Sequence, residues 1–247
     1  MTMDVQQLIT LLQPLRQQGM NPFQATQSVL STATPSIRAQ GVPGEDLQNS
    51  AFIAQALVRE FAQITPAELA AILHENYPDL SAVDIGKTIL DPRVLPGTPS
   101  AVMLSALTSA GFAPDTAADA VNILYPIQYI VQSTQPWQDS GLIVTGRQTT
   151  QLTASGSWTA SPGGGRVGPT GAPQYIAKPG YAMPGAHEGA LVARIGGNPP
   201  FLVGNGAQAP AGQSGPLQLC INDDLNGIYG AGLKDNIGTM QVNIVTH

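Results

Sequence analysis

The oxygen donors of this chain are crowded into one turn. From Leu219 to Ile244 the sequence reads LCINDDLNGIYGAGLKDNIGTMQVNI. It holds three carboxylates (Asp223, Asp224, Asp235) and the amides of Asn222, Asn226 and Asn236, with Lys234 as its one basic residue. Hard oxygen donors at this density suit Ca²⁺, which takes six to eight oxygens in flexible geometry. The interspersed glycines let the backbone fold back so that carbonyl oxygens can join the shell. The same residues are also the ordinary material of tight turns, and the D-x-[DN]-x-[DN]-G spacing of an EF-hand is missing. Composition alone therefore leaves two readings: a cation site or a polar turn.

Two strands must hold the turn. Leu217, Leu219 and Ile221 alternate with Gln218 and Cys220, and Met240, Val242 and Ile244 alternate with Gln241 and Asn243. A period of two marks a half-buried strand. Leu142 to Val144, Gln148 to Ser155, Ala190 to Ile195 and Phe201 to Val203 read the same way, and Trp158 reads as core. Thr159 to Gly185 is rich in Gly and Pro and reads as irregular. Cys220 has no second Cys to pair with and reads as a buried or half-buried packer.

The segments GALVARIGGNPPFLVG (Gly189 to Gly204) and LCIND…IYG…DNIGTMQVNI resemble the C-terminal half of the PA-IL-type galactophilic lectins. Those are small bacterial β-sandwiches that bind galactose through Ca²⁺. The resemblance spans roughly residues 138 to 247. It implies a Ca²⁺ held by Asp223, which would also bond the sugar, by the Ile228 carbonyl, and by Asp235 and Asn236. Asp224 is included as a further candidate ligand. A carbonyl expected upstream falls near Ser161, and the sugar-contacting positions fall near Ala172 to Tyr175, which makes Tyr175, Asp223 and Asn236 the expected ligand contacts. The chain departs from the family in its longer loop, in Asp235 where the lectins have Asn, and in having no His near Tyr175.

The first half reads as helices. Leu8, Ile9, Leu11, Leu12 and Leu15 form a stripe that stops before Gly19; Asn21 caps a segment opened by Pro22. Leu12, Leu15, Gly19, Met20, Pro22, Ala25 and Val29 are echoed 92 residues later by Leu104, Leu107, Gly111, Phe112, Pro114, Ala117 and Val121. Thr65 and Glu68 are placed as a capping box, Ser81 to Leu90 reads as another helix, and Phe52 to Phe61 carries an apolar stripe. Six to eight short helices of an imperfect helix-turn-helix repeat are expected. Stacked helical repeats commonly bind proteins, so a protein partner through residues 1–130 and a purely structural or oligomerising role are both open.

The expected fold class is thus α+β in two separate domains. A helical-repeat domain occupies 1–130, a linker 131–138, and an all-β sandwich 139–247, PA-IL-like and akin to a galactose-binding jelly roll. Gly and Pro are abundant, at 27 and 21, and charged residues make up only 11% of the 247, which favours turn-rich β structure with a polar uncharged surface. The net charge of −6 argues against nucleic acid as a partner, because phosphate binding needs clustered Lys and Arg. The acidic excess lies wholly in residues 1–135, with 11 acidic and 5 basic residues; residues 136–247 hold 5 of each.

No run is apolar enough to span a bilayer. No basic leader with an apolar core opens the chain, so cytoplasmic synthesis is expected, with export by a signal-independent route left open. Enzyme constellations are missing from the pattern: no G-x-S-x-G, no H-E-x-x-H, His74 reads as a solvated helix residue, and His187-Glu188 as a surface pair. Asp223 or Asp224 with Glu188 could form a carboxylate pair, but their spacing does not argue for it. The expectation is a non-enzymatic bacterial carbohydrate-binding protein with a helical interaction domain, able to form homo-oligomers. The alternative is a structural or interaction component of a multi-protein or toxin-like assembly that binds no sugar.

Overall fold

The computed structural model describes residues 3–32, 37, 41–161 and 163–247. The chain divides into a helical unit, 1–125, and a β unit, 126–247.

Among the described residues the first unit holds seven α-helices: α1 (Val5–Gln17), α2 (Pro22–Thr32), α3 (Pro43–Glu60), α4 (Pro66–Asn76), α5 (Ala82–Leu90), α6 (Ser100–Ser109) and α7 (Pro114–Leu124). Their starts are fixed locally. Reciprocal side-chain to backbone bonds join Asp4 with Gln7, Asn21 with Gln24, Thr65 with Glu68 and Ser81 with Asp84. Each such pair satisfies N–H groups that the first turn leaves open. The echoed segments end α1 and α6 alike. Gly19 and Gly111 take φ of +83° and +105°, and Met20 and Phe112 donate their N–H to the carbonyls of Leu15 and Leu107 at 3.1 and 3.2 Å. That 6→1 closure needs a left-handed residue before it, which Gly supplies without a Cβ penalty. The likeness is not complete: Leu12 is buried, whereas its counterpart Leu104 is exposed. His74 does not lie on a solvated face. It is half-buried, with its ring 4.2 Å from that of Phe112.

Among the described residues the β unit has nine strands: β1 (Ile127–Gln132), β2 (Gln138–Val144), β3 (Thr150–Thr159), β4 (Thr170–Ile176), β5 (His187–Ile195), β6 (Phe201–Leu202), β7 (Gly206–Gln208), β8 (Gly215–Ile221) and β9 (Ile237–Thr246). They form two antiparallel sheets, β1-β9-β3-β7 and β2-β8-β5-β4, with β6 beside β5. Both sheets feed one core. Val131, Leu152, Trp158, Met240 and Val242 come from the first, and Leu142, Leu191, Leu217, Leu219 and Ile221 from the second. Trp158 is fully buried, and its indole N–H donates to the Gly189 carbonyl at 2.7 Å. The polar tip of the largest core side chain is thereby satisfied.

Two expectations are corrected here. Residues 131–138 are not a linker: Val131 is buried on β1, and Gln138 opens β2. The Gln138 side chain locks the turn between them, accepting from Gln132 N–H and donating to the Gln132 carbonyl, both at 2.9 Å. Nor is Thr159 to Gly185 wholly irregular, because Thr170–Ile176 pairs with β5 as β4, with a register shift between Ala172 and Ile176. Cys220 is fully buried, and desolvation, with the Asp223 charge adding to it, pushes its thiol up to about 12.

Candidate functional site

The donor-rich loop joins β8 to β9, an inner strand of each sheet. Asn222 anchors its start. The Oδ1 of this buried amide accepts from Met183 N–H at 2.7 Å, and its Nδ2 donates to the carbonyls of Met183 and His187, each at 3.0 Å. The end is a 3₁₀ turn, Gly232–Asp235. Gly232 has φ +59°, and a Cβ there would lie 2.5 Å from the Asp224 carbonyl, so only glycine lets the loop close on itself.

Asp223 and Asp224 are both buried. Asp224 is spent on the loop. Its carboxylate accepts from Tyr229 N–H at 2.6 Å and from Asn226 N–H at 3.3 Å. Desolvation alone would raise its pKa, but the amides of Tyr229, Ile228, Asn226 and Gly227 together outweigh it and hold the carboxyl below its ordinary value. Asp223 shows the opposite balance. One of its oxygens accepts from Asp224 N–H and the other from Asn236 Nδ2, both at 2.7 Å. Desolvation still pushes its carboxyl up, and the charges of Glu188 and Asp235 act in the same direction. Asn236 also donates to the Ser133 carbonyl at 3.1 Å, while its own Oδ1 is buried without a hydrogen-bond partner.

These groups border a concavity of about 200 Å³. Glu188, Asp223, Asp224 and Asp235 line it, with Tyr181, Tyr229, Ser161 and the Gly230–Gly232 backbone; none of the lining residues is basic. The Tyr181 hydroxyl donates to Glu188 at 3.1 Å, and burial together with the nearby carboxylates raises its pKa. The Tyr229 hydroxyl donates to the Pro179 carbonyl at 3.0 Å. Among the described residues no group of three or more His, Cys, Asp or Glu side chains is disposed to hold a metal ion. Carboxylates alone do not make a cage here. A hard cation would need the mixed shell of carboxylate, amide and backbone oxygens that Ca²⁺ accepts. The unpartnered Asn236 Oδ1 fits such a shell.

The expected site residues are thus sorted. Asp223, Asp224 and Asp235 line one concavity, Asn236 bonds Asp223 from behind, and Ser161 stands on the same rim. Ile228 is exposed and does not line it; its neighbours Gly230 to Gly232 do. Tyr175 is exposed on β4 and does not line it either. Glu188, whose spacing gave no reason to pair it with Asp223, joins it here, and Tyr181 had no signal in the sequence at all.

No protein-family model matches the chain, and no curated protein matches it. A solved structure described as "EclA N-terminal domain; PllA-like lectin" is similar over 49% of this chain and 96% of that one, at 20% identity and a TM-score of 0.39.

Proposed function

We propose that the β unit is a carbohydrate-binding module that takes a neutral sugar at the Asp223 concavity with the help of a bound Ca²⁺. The observation that carries this reading is Asp223, a buried carboxylate of raised pKa on the wall of a concavity without basic residues, bonded to Asn236, whose own buried amide oxygen has no hydrogen-bond partner. Burying a charge without a counter-charge and an amide oxygen without a donor is costly, and a cation would relieve both costs. The motif resemblance of residues 189–244 to the galactophilic lectins supports the same reading. Asp223, Asp235 and Asn236 would hold the ion, with main-chain oxygens of the Gly230–Gly232 turn. The ion supplies coordination positions for vicinal hydroxyls. Asp223 accepts a hydrogen bond from a hydroxyl, and Tyr229, with Lys178 Nζ 4.9 Å from its ring centroid, stands on the rim. The Glu188 carboxylate is tied to Tyr181, which suits a wall better than an acid–base catalyst.

A second reading has its own observation. Asp224 shows that a carboxylate of this loop can be wholly occupied with turn amides, and a loop made only of such turns would leave the protein a structural or interaction component. The proposed protein partner of the helical unit belongs with either reading; Phe23, exposed at the Asn21–Ile72 groove, is where it would dock. Melting the full chain in calcium and in chelator separates the two. At calcium 100-fold above Kd the first reading expects about 2.7 kcal/mol of added stability and calcium-dependent signals for galactosides on a glycan array. Superimposable melts would remove the cation.

A further inference from the structure

The donor-rich loop has a second concavity, of about 340 Å³. It shares Gly230 and Ala231 with the first, so a strip of two small residues is the common wall. The chemistry on the two sides is opposite. The first is lined by four carboxylates, whereas no carboxylate lines the second among the described residues. Its polar side chains are Thr134, Asn226 and Lys234. Among the described residues none of the three makes a side-chain hydrogen bond or ion pair. Leu225 and Leu233 supply an apolar floor, and Leu233 is buried. An apolar base with a few convergent, unspent polar groups is the usual make-up of a small-molecule site. Here the unspent groups include an ammonium and two hydrogen-bond donors, so the complementary ligand is an anion with hydroxyls beside it.

We propose that this concavity is a second saccharide subsite that selects a carboxylate-bearing sugar, a uronic acid, linked to the sugar held at Asp223; the linkage to that neighbour rests on the function proposed above. Lys234 pairs with the carboxylate, Thr134 and Asn226 bond ring hydroxyls, and the floor takes the C–H face. Gly230 has no atom within 4 Å of where a Cβ would lie, so the shared wall is low and a glycosidic linkage can cross it. Selection is electrostatic, because the acidic first concavity repels the same carboxylate and fixes the order of the two residues.

The test begins with the subsite alone. Sodium glucuronate, its methyl ester and sodium acetate are titrated into the full-length protein in chelator, and the backbone amides of residues 226–234 are followed by NMR. Saturable shifts with glucuronate, at least about fivefold weaker with the ester, and their loss in Lys234→Gln but not in Lys234→Arg, support the subsite. Absence of saturable shifts, equal binding of acid and ester, or equal response to acetate would overturn it. Calcium then tests the linkage separately. A galactosyl–glucuronate disaccharide should bind more tightly than methyl galactoside in calcium, with Lys234→Gln removing only the difference. Loss of galactoside binding altogether would sink the function proposed for the first concavity and leave the chelator result standing.

Discussion

Asp223 and Asp224 are adjacent in sequence, equally buried, and different in what their charge is for. The Asp224 charge is already stabilised by four turn amides. Asp224→Ala should therefore lower the melting temperature by the same amount in calcium and in chelator. Asp223 carries the strain of burial and of two neighbouring carboxylates. Asp223→Asn should abolish the calcium-dependent rise in melting temperature. Asn236→Ala should weaken calcium less, since it removes a neutral donor. Elsewhere Arg93 grips Asp91 with two side-chain bonds, at 3.0 and 2.9 Å, and one backbone bond at 2.8 Å, which holds the Asp91 carboxyl below its ordinary value. A carboxyl depressed in the folded state adds stability above its unfolded pKa, about 3.9, and that contribution is lost as pH falls through the lower folded value. Arg93→Ala should therefore narrow the gap in melting temperature between pH 6 and pH 3. The effect is small, because Arg93 is exposed and screened by solvent. Equal pH dependence in the two proteins would show that the pair contributes nothing.

Elements differ in how far their causes lie along the chain. Helix starts were legible because their partners are three residues away: Thr65 accepts from Glu68 N–H at 3.2 Å and Glu68 accepts from Thr65 N–H at 2.9 Å. Thr65→Ala should cost about 1 kcal/mol. Gly19→Ala and Gly111→Ala should each cost about 1–2 kcal/mol for the left-handed conformation alone, since no atom crowds a Cβ at Gly19 and only the His74 ring edge, 3.9 Å away, meets one at Gly111. Denaturant midpoints at constant slope measure all three. Strands were less legible. The alternation of Ile127, Tyr129 and Val131 with Gln128, Ile130 and Gln132 was present, but Pro126 and the polar run after it hid a strand whose partner, β9, lies more than a hundred residues away. β4 was hidden by its Gly and Pro and by a register shift. The site divided the same way. Asp223, Asp224 and Asp235 belong to one loop and were found by composition, whereas Tyr181 and Glu188 reach it only through β5 and the turn before it. No local spacing encodes that approach.

At the scale of the whole molecule, the helical and β units are each organised around their own core, and the exchange of α for β falls between Tyr125 and Pro126. The position of that boundary has consequences for the site. β1 pairs with β9 from Ile127–Ile244 to Gln132–Thr239 and contributes Val131, fully buried, to the sandwich. The residue after β1, Ser133, gives its carbonyl to Asn236, which in turn bonds Asp223. A fragment of residues 126–247 should therefore fold as an all-β unit, with no helical signal in circular dichroism. A fragment of residues 139–247 keeps every loop carboxylate but loses β1. It forfeits about 1.5–3 kcal/mol from Val131 alone, frees the β9 edge for intermolecular pairing, and leaves Asn236 without its anchor. The shorter fragment should melt lower, aggregate more readily, and lose the calcium response of Asp223 even where it remains folded. Equal melting of the two fragments would show that β1 is an accessory to the sandwich rather than part of it. A calcium response kept in the shorter fragment would show that Asn236 needs no support from Ser133.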